Sequence, residues 1–217
     1  MHEIILMSDP RVAQVPVEEC GEPLVDVRDI PGVRLDNRLA DTVSAYTRLR
    51  SGVAERLTTA QKHLPPGLGF LVVEGYRPLS LQIRYFDEYA AELRDANPGW
   101  PEEYVLVQAS RSLAPPAVGP HVSGGAIDLT LCTAEGLELP MGTEVNASPE
   151  ESDDACYTNA PGLPPAAREN RAILIAALTA AGLVNYPTEW WHWSYGDRYW
   201  AALTGADAAL YSPLDWP

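Results

Sequence analysis

Basic residues are scarce in this chain: 15 Lys and Arg stand against 30 Asp and Glu, for a formal net charge of −15 at neutral pH. A surface of that sign repels phosphate backbones and anionic headgroups, so nucleic acid and membrane surfaces are not expected as partners. Nowhere does the chain approach the roughly eighteen consecutive apolar residues of a membrane-spanning helix. The first ten residues carry Glu3 and Asp9 around Ile4 and Met7, with no basic segment, no long apolar stretch and no small-residue cleavage site. A cytoplasmic protein is therefore expected. Cysteine is also rare: Cys20, Cys132 and Cys156 are odd in number and lack metal-ligand spacing, so buried, reduced thiols are the expectation. Internal repeats and low-complexity linkers are missing too, which argues for one domain over residues 1–217.

What is present is enough apolar residue, 46% of 217, to bury a core. Residues 1–40, rich in Pro, Asp, Val and Arg without sustained periodicity, read as an extended N-terminal arm with short strands near 24–27. Leu39, Val43, Tyr46, Leu49, Val53 and Leu57 recur at three-to-four spacing, which predicts helices between 39 and 63. The apolar run 69–73 predicts a buried strand that delivers Glu74-Gly-Tyr-Arg-Pro78 at its end. Leu81, Tyr85, Tyr89 and Leu93 then predict a helix over 79–96, closed by Asn97-Pro98-Gly99.

A short helix and a proline-rich approach fill 101–120. Residues 125–131 alternate as a strand, with 136–141 as its hairpin partner. The polar segment 143–165 reads as a long loop whose acidic run, Glu150 to Asp154, is a solvated face. A helix over 165–181 has proline in its first turn and Gly182 at its end. Segments 183–186 and 191–195 complete the core strands.

Two short segments concentrate the chemistry: His121-Val-Ser-Gly-Gly-Ala-Ile-Asp128 and Glu189-Trp-Trp-His192. Two histidines and a carboxylate are the donors of a zinc site that keeps a fourth position for water. A turn at Gly124 and Gly125 would let His121 fold back beside Asp128 at the start of a strand. The ordinary alternatives are a loop histidine exposed to solvent and an aspartate that caps a turn. If 190–195 is a strand, alternation places Trp190, His192 and Ser194 on one face and Trp191, Trp193 and Tyr195 on the other. One tryptophan row then buries while His192 faces a cavity; the alternative is a core histidine satisfied in place. Glu189 is positioned to handle a proton beside a metal. Arg77, permanently charged, is suited to stabilise a developing oxyanion, although a surface ion pair is the commoner fate of an arginine.

These residues together resemble the zinc D-alanyl-D-alanine dipeptidases of the vancomycin-resistance type, relatives of the D-Ala-D-Ala carboxypeptidases and of the hedgehog signalling-domain fold. The resemblance runs in order through Glu74-Gly-Tyr-Arg-Pro78, His121-x-x-Gly124-x-Ala126-x-Asp128, Met141-Gly-Thr143 and Glu189-Trp-Trp-His192. It implies one Zn²⁺ per chain with His121, Asp128 and His192 as ligands, Glu189 as catalytic base and Arg77 as transition-state stabiliser. It also implies an α+β fold, a small antiparallel sheet flanked by helices with the zinc site at the sheet.

Two departures concern the substrate. Gly119 stands where the family usually has a serine, and Val145 and Asn146 stand where it has an aromatic and an aspartate that holds the substrate ammonium. Gly119 and Asn146 are therefore candidate substrate-binding positions that break the pattern. The implied function is zinc-dependent hydrolysis of D-Ala-D-Ala or a closely related small dipeptide. The alternatives are a metallopeptidase or amidase for another small peptide, such as a cell-wall fragment or biosynthetic intermediate, and a non-catalytic, zinc-stabilised binding protein. Retention of both Glu189 and Arg77 argues against the last, since a structural zinc needs neither.

Overall fold

Short strands and amphipathic helices succeed one another along the chain, and a computed structural model describes residues 4–216 of it. In order they are α1 (Pro10–Ala13), β1 (Leu24–Asp26), β2 (Arg34–Leu35), β3 (Arg48–Arg50), α2 (Ser51–Gln61), β4 (Leu68–Glu74) and α3 (Leu79–Ala96). There follow α4 (Glu102–Ala109), β5 (Ala126–Thr133), α5 (Pro149–Ser152), α6 (Pro165–Ala180), β6 (Val184–Asn185), β7 (His192–Ser194) and α7 (Arg198–Thr204). Single 3-10 turns occupy Val27–Asp29, Ala45–Thr47 and His121–Ser123. The α+β class expected from the sequence is what the chain adopts.

The main sheet has the order β2-β4-β5-β7-β6, antiparallel throughout except for the parallel edge pair β2–β4. Phe70 pairs with Leu131, Val72 with Leu129 and Ile127 with Trp193. These buried side chains join Val53 and Leu57 of α2 and Leu174 and Leu178 of α6 in one core. The opposite face of β5 carries Asp128 and Thr130, as the period-two alternation of a strand requires. A register shift between Val72 and Glu74 leaves Glu74 opposite Asp128. Such a bulge re-aims a side chain, and here it turns Glu74 onto the Asp128 face.

The helices end where local chemistry stops them. α6 closes in a left-handed glycine: Gly182 has φ +83°, its N–H donates to the Thr179 carbonyl, and the Leu183 N–H donates to Leu178 O. α3 spans the residues the four-residue repeat predicts, and it packs on α4 through Phe86, Ala90, Leu93, Val105 and Ala109.

Four expectations are corrected. The helical periodicity of 39–50 does not produce a helix there, because the Asp41 carboxylate accepts from the N–H groups of Val43, Ala45 and Tyr46 and winds a turn. The chain then pairs β3 with β1, and helix begins only at Ser51. Residues 136–141 turn back on β5 as expected but form no regular strand: the pairing is one antiparallel bridge, Cys132 to Glu138, flanked by Thr133 N to Leu137 O and Leu139 N to Leu131 O. Trp190 shares the core with Trp191 and Trp193, because regular strand begins only at His192. Cys20 is an exposed thiol, whereas Cys132 and Cys156 are buried. The acidic run stays exposed, as expected, and carries surface contacts besides: Glu150 accepts from Tyr89 and Arg111, and Arg111 also binds Asp154.

Candidate active site

The antiparallel register of β5 and β7 sets Asp128 directly opposite His192, so both side chains leave the sheet on one face. His121 reaches the same place from the 3-10 turn that precedes β5. That turn ends at Gly124, φ +71°, where a Cβ would stand 2.6 Å from Leu24 Cδ2, so only glycine closes it. The His121 ring is aimed by its far nitrogen, which donates to the Gly75 carbonyl at 2.6 Å. Gly75 is itself a position that admits no side chain, since a Cβ there would lie 2.2 Å from the Arg48 carbonyl oxygen.

Three atoms converge in consequence. His192 Nδ1 lies 3.0 Å from Asp128 Oδ1 and 3.1 Å from His121 Nε2, and His121 Nε2 lies 3.3 Å from Asp128 Oδ1. A tetrahedral zinc with arms of about 2.0–2.1 Å has ligand–ligand edges of roughly 3.3–3.4 Å. The observed triangle matches one face of such a tetrahedron to within a few tenths of an ångström. The chemistry of the donor set also fits: two imidazole nitrogens and a carboxylate crowd together at 2–4% exposure, where only a cation or protons relieve their repulsion. Burial pulls both imidazoles toward the neutral form. Asp128 reverses this at His121, raising its pKa, while the His192 pKa stays lowered. Burial opposes ionisation of Asp128, but the two histidines hold it well below the ordinary carboxylate range.

Glu189 stands at the end of the turn before β7. Its N–H donates to Tyr186 O at 2.9 Å, and the Asn185 side chain ties its carbonyl and that of His192 together, each at 3.0 Å. Its carboxylate approaches His192 Nδ1 at 3.8 Å. Burial, reinforced by the charge of Asp128, pushes its pKa well above the usual value. A carboxyl so placed accepts a proton readily, as a general base near neutral pH must.

Arg77 is buried, at 6% exposure, so the surface ion pair is not its fate. Its guanidinium donates to both oxygens of Glu74 and, at 2.8 Å, to Gln82 Oε1, and Gln82 Nε2 donates in turn to Ala114 O. Glu74, Asp128 and His192 thus form one row across three strands. Glu74 was legible only as part of the Glu-Gly-Tyr-Arg-Pro motif. Gln82 had no signal beyond its place one turn into the following helix.

These groups line one cavity of about 310 Å³, a volume suited to a small ligand. Its far walls include Tyr89 of α3 and Asn146 and Glu151 of the 143–165 segment. Met7 of the N-terminal arm closes another side, pinned by donation of its N–H to the buried Tyr186 hydroxyl at 3.2 Å. Sequence reasoning did not identify Met7, Tyr186 or Glu151 as part of the site. Asn146 lines the cavity with φ +67°, and Val145 beside it is buried in the core. Gly119 is not among the lining residues: a Cβ there would press on Val122 at 3.3 Å and on the Gln82 side chain at 3.4 Å. Cys132 lies away from the cavity, against Gly69.

Comparison with known proteins finds relatives over most of the chain. A family model described as D-Ala-D-Ala dipeptidase matches residues 38–206. The chain is 31% identical over 219 residues to a D-alanyl-D-alanine dipeptidase of Synechocystis sp., covering 86% of this chain and 87% of that protein. It is 34% identical over 126 residues to a D-alanyl-D-alanine dipeptidase of Escherichia coli, covering 58% and 54% of the two chains. Among solved structures, the LdcB LD-carboxypeptidase aligns with TM-score 0.46 at 20% identity, over 89% of this chain and 76% of that one.

Proposed function

Because the chain belongs to the D-Ala-D-Ala dipeptidase family, we propose that it is a zinc metallopeptidase hydrolysing the peptide bond of D-Ala-D-Ala or a closely related small dipeptide. One observation carries the reading: the triangle of His121, Asp128 and His192 donors opens onto the same small cavity as the Glu189 carboxylate. His121 Nε2, Asp128 Oδ1 and His192 Nδ1 would hold the ion. Bound zinc supplies a Lewis acid for the scissile carbonyl and lowers the pKa of a water.

The chain's own residues do the rest. Glu189 takes the proton that the attacking water gives up and delivers it to the leaving amino group as the carbon–nitrogen bond breaks. Arg77, held by Glu74 and Gln82, keeps its remaining N–H donors for the oxygen on which negative charge develops. Met7 and Tyr186 wall the cavity, which favours a short substrate. Residues 1–217 form one peptidase domain in this reading, with 1–40 as its arm. Three free cysteines support a cytoplasmic setting, and no described helix is long and apolar enough to cross a membrane.

A second reading keeps this chemistry and changes the dipeptide. Asn146, a neutral amide on the cavity wall, favours it, because an aspartate at that place would hold a free ammonium more strongly. The test is hydrolysis of a panel of D,D-, L,D- and L,L-dipeptides by chelator-stripped and zinc-restored protein. Loss and recovery of D-alanine release from D-Ala-D-Ala is the expected result. Hydrolysis undiminished by stripping overturns the metal reading, and a stronger preference for another dipeptide moves the assignment to the second reading.

A further inference from the structure

Behind the ligand triangle, on the side of His192 turned away from it, buried polar atoms stand without a close hydrogen-bond partner. They are His192 Nε2, Ser194 Oγ and Asp197 Oδ2. None of the three residues is more than 3% exposed. His192 and Ser194 share a face of β7 because they are two residues apart in a strand. The turn at 195–197 then brings Asp197 back as the N-cap of α7, where its other oxygen, Oδ1, accepts from the Trp200 N–H at 2.8 Å.

The cap accounts for one carboxylate oxygen and leaves the second unexplained. A buried carboxylate oxygen with nothing to accept from is costly, and native interiors satisfy such groups with protein or ordered water. Here the complement is at hand. His192 Nδ1 faces Asp128 and His121, so when that nitrogen gives its lone pair to a metal the ring proton sits on Nε2, a donor. Ser194 Oγ donates or accepts, and Asp197 Oδ2 accepts. Ser194 and Asp197 still interact: burial raises the carboxyl pKa and the Ser194 hydroxyl helps to hold it down, and a buried water would complete the link to His192 Nε2. The charge of Asp197 acts on the His192 ring, and that of His192 on the carboxylate.

We propose that Asp197 is a positioning residue for the metal centre. With Ser194 and one buried water it accepts the hydrogen bond that His192 Nε2–H donates, fixing the ring and its tautomer so that Nδ1 stays available to the ion. Histidine ligands are commonly oriented by an outer carboxylate or carbonyl, and His121 already has its counterpart in the Gly75 carbonyl. The inference rests on the reading of His192 as a zinc ligand, and the experiment separates the two.

Zinc affinity is measured by competition with a chelator for the wild type, Asp197→Asn and Ser194→Ala, alongside thermal unfolding of the metal-free proteins. Asparagine preserves the shape of the side chain and the capping oxygen, so a purely structural role predicts unchanged binding. Asp197→Asn is expected to weaken zinc binding about 10- to 100-fold with little change in metal-free stability. Ser194→Ala is expected to weaken it by a smaller factor. Wild-type affinity in Asp197→Asn overturns the proposal while leaving the zinc reading intact. Failure of the wild type to bind zinc overturns both. Should Asp197→Asn not fold, Ser194→Ala decides, and zinc binding indistinguishable from wild type overturns the link.

Discussion

Asp128 and His192 face each other across β5 and β7, with Oδ1 3.0 Å from Nδ1. A slip of one residue in that register would turn every side chain of β7 to the other face and bring Trp193 opposite Asp128. The buried pairing of Ile127 with Trp193 guards against it, since burying a tryptophan on the site face would strip the core of one of its three tryptophans. Core packing on one side of the sheet therefore holds the polar triangle on the other.

Glu189→Gln keeps the volume and polarity of the buried side chain but removes its basicity. The variant should bind zinc as the wild type does and lose about 10²- to 10⁴-fold in kcat, the usual contribution of a positioned general base. Steady-state hydrolysis together with metal analysis checks this, and a kcat within a few-fold of wild type removes the assignment.

Glu74→Gln leaves the Arg77 guanidinium charged in a site where both partners are at most 7% exposed. Breaking a buried pair from one side costs about 3–5 kcal/mol, and the retained amide oxygen places the expected loss near 3 kcal/mol. Urea unfolding should show this as a lower midpoint at unchanged slope. Unaltered stability would mean that Glu74 and Arg77 do not depend on each other.

Asn146→Asp puts a carboxylate on the cavity wall where an amide now stands. A charge-assisted hydrogen bond is about twice as strong as a neutral one, so KM for a dipeptide with a free amino group should fall about tenfold. The N-acetylated dipeptide should gain nothing. Equal effects on both substrates would place the amino group elsewhere in the cavity.

Acid should destabilise the protein partly through Asp26. Its hydrogen bonds from the Arg28 side chain lead a set that holds its pKa at about 2, against 3.8 in the unfolded chain. The folded state thus binds fewer protons, and the stability this contributes is complete above pH 3.8 and lost as pH falls toward 2. Denaturant midpoints followed from pH 6 to pH 2 should fall less steeply in Asp26→Asn than in the wild type. A parallel decline would show that Asp26 contributes nothing to acid sensitivity.

Much of the frame was legible because its signals are local. α3 and α6 follow from apolar spacing and terminal residues, and β4 and β5 from runs too short and too branched for helix. The failures also have local causes. Leu49 is spaced as though on a helix, yet its backbone pairs with Val25, because Asp41 had already bent the chain and a partner strand was waiting. Glu150 and Asp154 form an exposed run, as they look, but nothing in the run tells that Arg111, some forty residues earlier, pairs with both. No periodicity within either segment carries that information.

Residue chemistry and motif spacing were enough to nominate His121, Asp128, His192, Glu189 and Arg77, because metal binding and proton transfer restrict which side chains can serve. Distance along the chain does not set distance in space. Tertiary structure alone turned Glu74 onto the Asp128 face by a bulge, locked Arg77 between Glu74 and Gln82, folded Met7 of the arm against Tyr186, and left the buried Asp197 oxygen near His192. Each depends on register and packing between segments far apart in sequence, and those are decided by which arrangement of the whole chain buries its apolar surface while leaving the fewest polar groups unpaired.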